Sequence, residues 1–154
     1  MHEQLSHIDD QGRASMVDVS GKEMERRSAI ASGFFVAKSD TLDAVMSGNL
    51  PKGEALSVAR IAGIQSAKKC DSLIPLCHPL PLEFVGVDFD RVAPDRLQIT
   101  ATAVITGKTG IEMEVLTAVS VAALTLWDMT KAIDKNLKIE EIILVEKNKK
   151  PLIQ

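Results

Sequence analysis

The chain has no tyrosine, one tryptophan and four phenylalanines among its 154 residues. Without such rings it lacks the platforms on which single-stranded bases stack. Its core must come from Ala, Val, Leu and Ile, small enough to let helices approach closely. Charge of one sign is lacking too: 18 Lys and Arg stand against 21 Asp and Glu, a net −3. That balance excludes a general attraction to nucleic acid or to a membrane surface. Cysteine is scarce, with Cys70 and Cys77 alone, and of three histidines His2 and His7 lie near the N-terminus. Structural zinc wants four Cys or His ligands, and beyond the N-terminal segment only Cys70, Cys77 and His78 are offered, so no metal is expected. The opening MHEQLSHIDDQG has no apolar segment of a secretion signal, and reduced thiols in a cytoplasmic protein are expected. The longest uncharged stretch is rich in Ser, Thr and Ala and falls short of the about 20 apolar residues of a membrane span.

What is present is a composition of 45% hydrophobic and 25% charged residues, ordinary for one soluble domain. Residues 1–25 are polar and read as a flexible N-terminal arm, 26–147 as a single α+β domain, and 148–154 as a basic tail. Within the arm, MVDVS at 16–20 alternates well enough for a brief strand. A strand is expected over 28–37, then a short helix with Ser39 as N-cap and Gly48 as its stop. A second helix is expected over 54–69, while Pro75, Pro79 and Pro81 forbid one over 71–82. Segments 84–90 and 97–106 alternate as a hairpin, a long helix spans 114–134, and a last strand 139–146. This order suits a ferredoxin-like antiparallel sheet with helices packed on one face. The long helix is apolar nearly all round, which in so small a chain points to a subunit interface.

The same helix carries chemistry. Thirteen residues without formal charge, Val115 to Trp127, are followed by Asp128 and Lys131. Three apart on a helix, these two share a face with Thr117, Val121 and Leu124. An acid and an amine at the rim of an apolar wall are where pKa values can be moved, so proton transfer and an ordinary helix salt bridge are both open. In Leu76-Cys77-His78-Pro79-Leu80 the prolines stiffen a loop around an imidazole, which either presents it to a ligand or satisfies it on backbone. Gly107-Lys108-Thr109-Gly110 looks like the end of a phosphate loop, but Thr102 stands where the first glycine of that motif is needed. It reads as a tight turn, from which Lys108 can still reach an anion. Glu112 and Glu114 would point the same way if extended and could hold a guanidine-like edge. Lys52 in a Pro-Lys-Gly loop and Lys147 at the end of the last strand are, taken alone, surface lysines.

Together, MVDVS (16–20), the PKG loop, ARIAGIQSAKK (59–69), LIPLCHPLPL (73–82), TGKTGIEMEVLTAVSVAALTLWDMTKAID (106–134) and the Lys147 region resemble the MoaC family, the cyclic pyranopterin monophosphate synthases of molybdenum-cofactor biosynthesis. The resemblance runs from about Met16 to Lys147. It implies a ferredoxin-like protomer in a homo-oligomer, a hexamer built as a trimer of dimers with active sites at dimer interfaces. It also implies a lyase that takes a cyclised GTP derivative, made by an upstream radical S-adenosylmethionine enzyme, and rearranges it with release of diphosphate. Ring opening, ring closing and phosphoryl cyclisation require no cofactor. By motif position the resemblance makes Asp128, Lys131 and Lys52 catalytic. Leu76, Cys77, His78, Glu112, Met113 and Glu114 then contact the substrate, and Asp18, Arg27 and Lys147 complete the pocket. The sequence departs from the family at Thr130, where the helix often has Cys, and in its tail, where Lys149 and Lys150 stand in place of a Gly- and Ser-rich stretch. The competing readings are a non-catalytic oligomeric module that binds purines or pterins and a cyclohydrolase-like enzyme, the zinc-dependent kind of which lacks ligands here.

Overall fold

A computed structural model gives the structure of residues 5–153; residues 1–4, His2 among them, and Gln154 lie outside the described residues. The elements run β1 (Glu25–Val36), α1 (Ser39–Ser47), α2 (Ala55–Lys68), α3 (Cys70–Leu73), β2 (Phe84–Ala93), β3 (Arg96–Gly107), α4 (Glu112–Thr130) and β4 (Lys138–Pro151). The four strands form one sheet in the order β2-β3-β1-β4, with β1 antiparallel to both neighbours and β2 antiparallel to β3. This is the expected α+β arrangement of the ferredoxin-like kind.

Alternation builds the sheet. In β3 every second residue, Leu97, Ile99, Ala101, Ala103 and Ile105, is fully buried. The residues between them face outward, as the two-residue period of a strand demands. Their partners on β1 are small: Ala29, Ala31 and Gly33, then Phe35. On this shallow surface lies α4, burying Val115, Ala118, Val119, Ala122, Ala123 and Leu126. At Gly33 a Cβ would come within 2.9 Å of Val119 Cγ1 and 3.0 Å of Ile142 Cγ1, so the helix rests on bare backbone. The α2–α4 seam is equally close. A Cβ on Gly63 would stand 3.0 Å from the Ala118 carbonyl oxygen and 3.1 Å from Val87 Cγ2. The shortage of aromatics thus becomes a tight three-way contact between sheet, α2 and α4.

At 19 residues α4 is long and apolar enough to reach across a bilayer, contrary to expectation, but more than half of it is buried inside the fold. It is a core helix. It begins two residues earlier than expected and ends four earlier, at Thr130 rather than 134. The reason is Asp134, whose carboxylate serves another element. Asp134 Oδ2 accepts from Lys38 N at 2.8 Å and Thr41 Oγ1 at 2.9 Å, and Oδ1 from Asn136 N at 2.8 Å. It therefore caps α1 from across the chain, while Ser39 is the first helical residue and makes no side-chain cap. Gly48, with φ 74°, ends α1 as expected. Glu54 caps α2 by accepting from Leu56 N and Ser57 N.

The expected strand over 16–20 does not form. Among the described residues before Glu25 only an isolated bridge, Ile8 to Ala14, pairs backbone in strand fashion. Since β1 starts at Glu25, its first residues need partners, and β4 supplies them by continuing to Pro151, with Lys150 opposite Arg26 and Lys149 opposite Arg27.

The capping role of Asp134 yields a measurable consequence. Burial alone would raise its pKa, but the Lys38 and Asn136 amides and the Thr41 hydroxyl outweigh it and hold the carboxyl below its ordinary 3.8. Its contribution is complete above that value and is lost as pH falls below it. Asp134→Ala is expected to cost about 1–3 kcal/mol at neutral pH in denaturant unfolding. The stability difference from the parent should shrink on acidification below 3.8.

Candidate active site

Two groups of polar side chains sit at the two ends of α4. At its N-terminal end the proline-bracketed loop Leu76-Cys77-His78 faces Glu112, Met113 and Glu114 across a cavity of about 260 Å³. The rest of its wall comes from Leu80, Thr109 and Gly110 and from residues before β1: His7, Val17, Val19 and Lys22. A second cavity of about 320 Å³ adjoins it at Gly110 and Glu112 and is lined by Arg27, Lys147 and Lys149. Basic side chains from β1 and β4 thus meet the N-terminus of α4, whose unpaired amides also favour negative charge. An anion-accepting chamber stands beside an acid-lined one.

The polar contacts divide the two. Lys147 Nζ pairs with Glu112 Oε1 at 3.0 Å, and Arg27 with Glu25 at 2.8 Å. Arg27 Nε is buried without a hydrogen-bond partner among the described residues. Burial pushes the Glu112 carboxyl up, but its own amide, Lys147 and Arg27 prevail and lower it. For Glu114, 4% exposed, burial wins and raises the pKa, reinforced by the charges of Glu112 and Asp71. The two carboxylates do not point the same way. Both lie in the first turn of a helix, about 200° apart around its axis, so Glu112 reaches Lys147 while Glu114 turns inward.

Burial, with the charge of Glu114 behind it, raises Cys77 and pushes Cys70 up to about 11. Both are thiols at neutral pH rather than nucleophiles. His78 Nε2 lies 2.7 Å from the Val17 carbonyl. A carbonyl only accepts, so Nε2 carries the proton. Lys108 Nζ donates to the Ser20 carbonyl at 2.9 Å. Asp18 is exposed and turns its carboxylate to Ser20 N, leaving its neighbours Val17 and Val19 to line the cavity.

At the other end of α4, Asp128 bridges two lysines: Lys131 Nζ at 2.8 Å from Oδ1 and Lys52 Nζ at 3.0 Å from Oδ2. The hydrogen bond from Lys131, then that from Lys52, lowers its pKa. The three side chains are 42–56% exposed and line no enclosed space with His78. Fourteen residues separate Glu114 from Asp128, about 21 Å along the helix at 1.5 Å per residue. The structure therefore gathers Leu76, Cys77, His78, Glu112, Met113, Glu114, Arg27 and Lys147 at one end of α4. It holds Lys52, Asp128 and Lys131 apart at the other. Exposed apolar side chains on α2 and α4 include Val58, Ile61, Leu124 and Trp127.

Sequence reasoning missed His7, Val17, Val19 and Lys22. The alternation of MVDVS, which puts Val17 and Val19 on one side, was the available signal for two of them. Nothing local to His7 announces its place. Among the described residues no three His, Cys, Asp or Glu side chains cluster so as to hold a metal.

The sequence model of the MoaC family matches residues 16–150. The chain is similar to cyclic pyranopterin monophosphate synthase of Novosphingobium aromaticivorans, 60% identical over 143 residues that cover 93% of this chain and 90% of that protein. It is 51% identical to cyclic pyranopterin monophosphate synthase 1 of Mycobacterium bovis over 94% of this chain and 85% of the relative. To the cyclic pyranopterin monophosphate synthase of Desulfitobacterium hafniense it is 49% identical, over 94% and 88%.

The raised thiols lead to a chemical expectation. Alkylation of Cys77 by iodoacetamide should be slow at neutral pH and accelerate about tenfold per pH unit, without a plateau, up to its ordinary value of 9.0. Mass spectrometry of the labelled peptide over that range would detect a plateau near neutrality, the sign of an activated thiolate.

Proposed function

The chain belongs to the MoaC family, and we propose that it performs the reaction named by its relatives at a site assembled from two copies of the chain. It is a lyase of molybdenum-cofactor biosynthesis that converts a cyclised GTP derivative to cyclic pyranopterin monophosphate and releases diphosphate. One observation carries the two-copy reading: each end of α4 holds half of the required chemistry, about 21 Å from the other half. The N-terminal end has enclosed space, carboxylates and an anion-accepting wall. The C-terminal end has a carboxylate between two amines, and of the three only Lys131 lines a cavity there, shared with Trp127, Asp134 and Lys135 and without any of the substrate-contacting residues. A two-fold axis that runs α4 antiparallel to its own copy lays Lys52, Asp128 and Lys131 of one subunit over the cavity of the other. The exposed apolar side chains of α2 and α4 support such a contact.

In this arrangement Leu76, Cys77, His78, Met113 and Glu114 hold the base and ring system. Arg27 and Lys147, with Lys149 beside them, neutralise the phosphates and the charge that develops as diphosphate leaves. Asp128, already ionised between its amines, accepts protons, and Lys52 and Lys131 return them. Covering the triad by a second subunit removes water from it, which strengthens its charge interactions with the substrate. The chemistry is ring rearrangement and phosphoryl cyclisation, for which no cofactor is assigned. Three such dimers make the expected hexamer. The substrate comes from a radical S-adenosylmethionine enzyme in the cytoplasm.

Lys52→Ala, Lys131→Ala and Asp128→Ala should each lower diphosphate release by about a hundredfold to ten-thousandfold while solution mass is unchanged. Retained activity in all three would remove these residues from the site, and binding without diphosphate release by the parent would restore the binding-module reading. Lesions at opposite ends should complement. Co-expressed Lys52→Ala and His78→Ala chains, each inactive alone, should recover about a quarter of parental activity, because half of random dimers carry one intact site out of two. A site lying within one subunit would recover none.

A further inference from the structure

We propose that His7 is a substrate-facing residue of the cavity at the start of α4, where its imidazole hydrogen-bonds the base of the bound nucleotide derivative; this rests on the reading above. The residue is brought there by a strap, residues 5–24, that also contributes Val17, Val19 and Lys22 to the cavity wall. Two backbone carbonyls anchor the strap, Val17 to His78 Nε2 at 2.7 Å and Ser20 to Lys108 Nζ at 2.9 Å. A small closed turn positions the ring. Asp9 accepts from Gln11 N and Arg13 N at 2.9 Å each and pairs with the Arg13 side chain. Ser15 N donates to the His7 carbonyl at 2.9 Å. With its backbone tied, His7 joins the wall of the cavity that Glu114 also lines.

The ring itself has no hydrogen-bond partner among the described residues, unlike His78, whose Nε2 is taken by the strap. A neutral imidazole has one donor and one acceptor, which matches the donor and acceptor edge of a purine-derived ring. The other polar side chains lining the same space are Lys22, Cys77, His78, Thr109, Glu112 and Glu114. His78 Nε2 is taken by the Val17 carbonyl and the Thr109 hydroxyl donates to the Gly110 carbonyl, so among the described residues His7 is the ring there with both its donor and its acceptor free. Because the anchors are backbone carbonyls of other residues, replacing the His7 side chain leaves the strap docked.

The test is steady-state diphosphate release by His7→Ala, His7→Gln and His7→Phe proteins, with Lys52→Ala run alongside. His7→Ala should raise KM about fivefold to tenfold with kcat within about twofold, the loss expected for one hydrogen bond to substrate. His7→Gln, which keeps a donor and an acceptor, should return KM most of the way, and His7→Phe should not. An unchanged KM in His7→Ala would overturn the proposal. So would full recovery by His7→Phe, which would make the ring mere packing, or a fall in kcat at constant KM, which would place it at the reacting atoms. Parental activity in Lys52→Ala is a separate result, since it sinks the catalytic assignment without moving the His7 readout.

Discussion

The contact on which the rest depends is the one between α4 and a sheet surface with almost no side chains under it. Ala29, Ala31, Ala101 and Ala103 are fully or almost fully buried, and Gly33 leaves no room for a Cβ beneath Val119. On the other flank Gly63 and Ala59 bring α2 against Ala118 and Ala122. A helix gripped this closely on two sides cannot slide or rotate without opening voids. It works as a rigid rod, and the residues at its two ends inherit a fixed separation and a fixed direction.

That rigidity gives the site its division of labour. At the N-terminal end, burial raises both carboxyls, but Lys147 and Arg27 bring Glu112 below its ordinary value while the charges of Glu112 and Asp71 push Glu114 further above it. At the C-terminal end, solvent surrounds Asp128 and its two lysines, and ion pairs of that kind stabilise a fold little. Three charges placed there without structural benefit fit the proposal that their use lies across an interface. The same logic extends to the strap, which ties itself down by backbone carbonyls on His78 and Lys108 and leaves the His7 ring without a hydrogen-bond partner among the described residues.

Periodicity carried most of the fold. The hairpin, the small-residue helix α2 and the body of the long uncharged helix all follow from spacings of two and 3.6 residues, and the structure places them as read apart from their ends. Helix α3 forms over Cys70–Leu73, where the prolines were expected to forbid one, because Pro75 constrains the extended Ile74 before it and not the turn that ends at Leu73. The other errors originate in contacts between residues far apart in the chain. The end of α4 was misjudged because Asp134 is recruited by α1, 96 positions away from Lys38. MVDVS alternates like a strand but pairs with no strand of the sheet, and its Val17 and Ser20 carbonyls go to His78 and Lys108 instead. The length of β4 was set by how early β1 begins.

By itself the sequence determined the element order, the core faces, the family and the residue types able to hold and rearrange a phosphorylated purine derivative. Each of these depends on local chemistry or on a motif whose spacing survives without coordinates. Only the tertiary structure decided which of those residues share a space. Glu112 and Glu114 diverge because a helix turns about 100° per residue, His7 arrives from a segment with no motif of its own, and Asp128 is held away from His78 by the length of α4. Such relations are set by the packing of distant segments, and no local pattern in the chain encodes them.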